Sequence, residues 1–153
     1  MLGAGTILNE SLAAAQLLED DWDVGAEVFS VTSFTELRRE AMEATRAARL
    51  GQGKPGQPWI VQQLPRTGMP VVAASDYVSA VPDLIRPWIA DPYLALGTDG
   101  FGRSDTRAAL RRFFEVDRHS IAVAALAALG DPRSGEAARR YGIDAESAPP
   151  WMR

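Results

Sequence analysis

Cysteine is absent from the 153 residues, and histidine occurs once. The first absence excludes disulfides, cysteine-ligated zinc and a thiol nucleophile. The second leaves His119 as the single imidazole, so no Cys/His pair can form. No apolar run reaches the roughly 20 residues that a membrane span needs. No stripe of lysine and arginine stands out, and the net charge is −4; both argue against a nucleic-acid partner. The opening residues lack the basic segment of a secretory signal. Lack of cysteine is compatible with a reducing cytoplasm.

What is present suits one globular domain. Hydrophobic residues make up 46% of the chain, enough for a single core at this length. Apolar spacing predicts a helix over 6–20, with Leu8, Leu12, Ala15 and Leu18 on the inner face and Ile7 and Ala14 beside them. A strand is expected over 26–31. Ser33 and Glu36 then form a capping box for a helix with Phe34, Leu37, Ala41, Ala44 and Ala48 inward, stopped by Gly51. Residues 51–58 read as a loop. Short strands are expected over 59–62, 70–75 and 93–96. The helical stretch 76–89 is broken by Pro82 and Pro87. Ser104, Asp117 and Asp131 each open a further helix. Helices alternating with strands point to a mostly parallel sheet covered on both faces. The stub before Gly3 implies that the first strand is truncated. The domain is expected over 1–145, with a frayed tail over 146–153.

Four features bear on chemistry. Gly3 to Thr6 lies between an apolar stub and a helix, but Leu8 stands where a dinucleotide fingerprint needs its third glycine. Glu19, Asp20, Asp21 and Asp23 cluster at a helix end without the spacing of a calcium loop. Arg38, Arg39, Arg46 and Arg49 decorate the outer face of the second long helix, a solvated face or one that pairs with a partner. The segment "GTDGFGRSDT" holds Gly97, Gly100 and Gly102, followed by Arg103, Ser104 and Asp105. It has the elements of an anion site, with Gly100, Gly102, Arg103 and Ser104 as the contacts, yet it lacks the Gly-Lys-Ser/Thr of a phosphate loop. A turn that needs glycine is the alternative.

The block "LGTDGFGRSDTRAALRRFFEVDR" resembles the C-terminal domain of homodimeric bacterial pyruvate dehydrogenase E1 components. "LGAGTILNESLAAAQLL", "VFSVTSFTELRREA", "VVAASDYVSAVPDLIRPWI" and "RYGID" agree in the same order. The resemblance implies a three-layer α/β/α sandwich, a mainly parallel sheet with one antiparallel strand. It implies a non-catalytic domain that supports homodimer packing in the cytoplasm. The parent enzyme would use thiamine diphosphate and magnesium, held by other domains, to decarboxylate pyruvate and pass the acetyl unit to the lipoyl group of E2. Its partners would be the rest of its own E1 chain, a second E1 subunit and E2. No position matches a catalytic motif. A stand-alone anion- or nucleotide-binding module using the Gly97–Asp105 turn is the competing expectation.

Overall fold

The computed structural model describes residues 1–51, 56–64 and 66–153. Its sheet has four short strands: β1 (Leu2–Ala4), β2 (Phe29–Val31), β3 (Val71–Ala74) and β4 (Tyr93–Leu96), in the order β2-β1-β3-β4. Every pairing is parallel. The expected antiparallel strand is therefore not among the described residues. Every link between consecutive strands is a helical crossover, which returns the chain to the same sheet end and yields parallel neighbours. After β4 the chain continues only in helices.

Side chains of successive strand residues point to opposite faces, and β3 shows the consequence. Val72 and Ala74 join one core, with Ile7, Leu18, Trp22, Ile121 and Leu126. Ala73 joins the other, with Leu2, Val31, Phe34, Ile60 and Ile85. The first core is roofed by α1 (Leu8–Trp22), α5 (Arg118–Ala128) and α6 (Ser134–Arg140). The second lies under α2 (Phe34–Arg49), α3 (Trp59–Gln63) and a 3-10 segment, Pro82–Trp88. The result is the expected α/β/α arrangement.

Several elements differ from the sequence reading. In α1 the buried positions are Glu10, Ser11, Ala14, Leu18 and Trp22, continuing from Ile7 of the preceding 3-10 turn, while Leu12 is half exposed. The helix packs closely on β1 at Gly3, where an added Cβ would lie 2.8 Å from the Leu8 Cα and 2.9 Å from the Ser11 Oγ, so Ser11 rather than Leu12 faces the sheet. β2 is confined to 29–31. The strand expected at 59–62 is the helix α3, whose turn begins with Val61 and Gln62 donating to the Pro58 carbonyl. A run this short carries no usable periodicity. Prolines 82 and 87 yield a 3-10 segment instead of a kinked α-helix. Asp131 caps no helix directly: α6 begins at Ser134, and Asp131 bonds the Arg133 N–H. At the end of the chain, where the reading expects fraying, Pro150–Met152 form a 3-10 turn with Pro150 buried. Within the loop expected at 51–58, residues 52–55 lie outside the described set.

Candidate functional site

Parallel strands all end on one side of the sheet. Between β1 and β3 the chain order reverses, and the connections diverge to opposite faces. In open α/β sheets such a switch point forms a crevice at the carboxyl ends of the strands, where ligands bind. Here that crevice is a cleft of 480 Å³. Thr6 and Asp76 enter it from the ends of β1 and β3, and Thr98 from the end of β4. Gly100, Gly102, Arg103 and Asp105 come from the glycine-rich turn, and Arg107, Leu110, Arg111 and Phe114 from α4 (Arg107–Phe113) and its end.

The three glycines of the turn do different work. Gly97 sits against the neighbouring turn: a Cβ there would lie 2.3 Å from the Ser79 N and 2.6 Å from the Tyr77 O. The Thr98 N–H donates to the Tyr77 carbonyl, and the Ser79 N–H donates to Asp99 Oδ1. Gly100 has φ +111° and faces Pro150, whose O would lie 2.8 Å from an added Cβ. Gly102 faces open space. Gly97 and Gly100 are thus explained by backbone packing, and Gly100 and Gly102 both line the cleft.

Of the expected contacts, Gly100, Gly102 and Arg103 reach the cleft wall, and Ser104 does not. The Arg103 guanidinium stacks on the Phe113 ring at 4.1 Å. Asp105 accepts from the Thr106 N–H at 2.7 Å, and Thr106, not Ser104, caps α4 by accepting from the Ala109 N–H. Phe113 is also covered from the other end of the chain by Arg153, 4.9 Å from its centroid.

The sequence reading passed over Glu10. Its carboxylate is buried in the first turn of α1. Arg111 donates to Oε1 at 2.8 Å, and Arg118 donates through its side chain at 3.0 and 3.2 Å and its backbone N–H at 3.1 Å. Burial pushes the Glu10 carboxyl upward. The Arg118 hydrogen bonds and the charges of both arginines outweigh it and hold the group below the usual glutamate range. One carboxylate thereby ties α1 to α4 and α5 and fixes Arg111 in the cleft wall. A lone glutamate in a first turn looks like a dipole partner. Its arginines lie about a hundred residues away, beyond any local pattern.

The other candidates do not converge. His119 Nδ1 is 3.6 Å from Asp117 Oδ2, and its ring lies beside Tyr141. Asp117 caps α5 by accepting from the Ser120 N–H and also accepts from Arg112. Burial works to raise its pKa; these bonds and the Arg112 charge bring it below the usual aspartate value. The acids at the end of α1 separate. Asp20 accepts from Gln16, Asp21 from Arg140 and Tyr141, and Asp23 ends the helix at φ 56°. The Tyr141 hydroxyl also accepts from the Trp22 indole N–H at 2.7 Å, locking α6 onto α1.

A model of the transketolase-like TK C-terminal domain matches residues 1–117. With the three-layer parallel fold and the switch-point cleft, this places the chain in that family, to which it belongs. Among its relatives is the pyruvate dehydrogenase E1 component of Pseudomonas aeruginosa, 48% identical across 98% of this chain and 18% of the relative. The E1 components of Mycolicibacterium smegmatis and Escherichia coli K12 are 45% and 43% identical over 97% and 94% of this chain, and over 17% and 15% of their own lengths. The chain thus spans less than a fifth of the length of these relatives. No described helix is long and apolar enough to cross a membrane.

Proposed function

We propose that this chain is the non-catalytic C-terminal domain of a pyruvate dehydrogenase E1 component and that it supports packing of the E1 homodimer. The observation that carries the reading is identity of 43–48% to E1 components across nearly the whole chain. The parent enzyme would decarboxylate pyruvate oxidatively and transfer the acetyl unit to the lipoyl group of E2, in the cytoplasm. Its partners would be the remaining E1 domains, a second E1 subunit and E2.

Magnesium, which thiamine diphosphate brings with it, is not matched by a ligand set in the described part of this chain. Among the described residues no three of Asp, Glu and His gather to hold a metal ion. Cofactor and metal would belong to other domains of the parent. An assay of pyruvate-dependent dye reduction, with thiamine diphosphate and magnesium supplied, tests this. The isolated chain is expected to show no turnover, and thiamine-dependent turnover would overturn the reading.

The cleft favours a second reading. Arg103, Arg107 and Arg111 line the cleft with Asp76 and Asp105; Arg111 is paired with Glu10, so a small anion would rest on Arg103 and Arg107. In this reading the domain takes phosphate or a nucleotide as a regulatory ligand through the Gly97–Asp105 turn. Phosphate or ATP would then raise the melting temperature by mass action. Arg103→Ala would abolish the rise; no rise in the native chain removes this reading.

A further inference from the structure

The arginine face of α2 is exposed, and it is not flat. Arg39, Met42, Arg46 and Arg49 follow one stripe at helical spacing, and Trp88 of the 3-10 segment lies alongside. Together with Glu43 and Thr45 they line a groove of 420 Å³. Its floor is apolar: Met42 is 51% exposed, and the Trp88 indole is held in place by donating to Thr45 Oγ1 at 3.0 Å. Thr45 in turn donates to the Ala41 carbonyl at 2.7 Å, so the anchor is tied to the helix backbone.

The rim is unevenly neutralised. Arg39 is satisfied by Glu36 and Glu43. Arg46 and Arg49 make no ion pair among the described residues, and residues 52–55, which follow the helix, include no acid. The groove therefore carries an excess of positive charge on a chain whose net charge is −4. Such a local reversal of sign is an element of electrostatic complementarity.

We propose that this groove docks a short acidic peptide segment of a partner protein, with one apolar side chain of the segment seated on Met42 and Trp88 and its carboxylates on Arg46 and Arg49. Guanidinium groups suit carboxylates through paired N–H donors. A fixed indole beside them supplies an apolar anchor. A long polyanion such as nucleic acid is disfavoured, because beyond the groove it meets a surface of net negative charge.

The test measures fluorescence anisotropy of a fluorescein-labelled Glu-Glu-Leu repeat peptide at low salt. The native 153-residue chain is expected to bind it, more weakly as salt rises. The Arg46→Ala/Arg49→Ala variant should keep its helix, because alanine is the best helix former, and should bind about tenfold less tightly. Trp88→Ala should also weaken binding. The Arg46→Glu/Arg49→Glu variant should instead bind a Lys-Lys-Leu repeat peptide. Absence of binding, or binding indifferent to these variants, overturns the proposal. So does a short single-stranded DNA that displaces the peptide at equal concentration.

Discussion

At the residue scale, glycine identity is decided by what surrounds each position. Gly97 and Gly102 share one motif, yet only Gly97 has backbone within 2.3 Å of an added Cβ. Neither Ser79 N nor Tyr77 O can move without breaking the turn that joins the ends of β3 and β4. Gly97→Ala is therefore predicted to cost about 2–3 kcal/mol, as overpacking does, and Gly102→Ala to stay within about 0.5 kcal/mol. Urea unfolding of both variants measures this, and equal costs would contradict it. The sequence offers a turn that needs glycine as the alternative to an anion site, but it does not mark which glycine the turn needs. That depends on a neighbouring loop some twenty residues earlier in the chain.

At the element scale, Glu10 decides how α1 meets α4 and α5. Replacing it with Gln leaves Arg111 and Arg118 without their shared carboxylate, at a predicted cost of about 2–3 kcal/mol at neutral pH. Because Glu10 is held below the ordinary value of about 4.3, the unfolded chain binds more protons than the folded one between the two values. Its stabilisation is present above the ordinary value and is lost as pH falls through the folded one. The Glu10→Gln penalty should thus shrink in acid. A penalty equal at pH 7 and at pH 3 would contradict the assignment.

The elements also show what could be read without the structure. The second long helix was legible, with its Ser33 cap accepting from the Glu36 N–H at 3.2 Å. Only half of the expected capping box forms, because the Glu36 side chain turns to Arg39. The Asp117 cap and the α5 that follows were legible as well. The strand expected at 59–62 is the helix α3; five residues with one buried side chain, Ile60, show no period. The inner face of α1 differs from the expectation at Leu12, because the polar Ser11, which hydrophobic spacing does not mark, is the residue packed against Gly3 of β1.

At the scale of the whole molecule, alternating helices and strands were enough to anticipate a sheet covered on both faces. The topology that makes the cleft was not written in any one segment: β1 lies between β2 and β3, so Thr6, Asp76 and Thr98 meet only when the sheet is assembled. The sheet carries a buried core on each face, both built from residues of this chain. Its proposed work lies in supporting a larger enzyme. The measurement that tests this most directly is the size of the native polypeptide, read by blotting a lysate of the source organism with an antibody to this chain. The account predicts a single band roughly five to seven times larger than 16.5 kDa, as relatives spanned to only 15–18% of their length require. A single band at 16.5 kDa would contradict it.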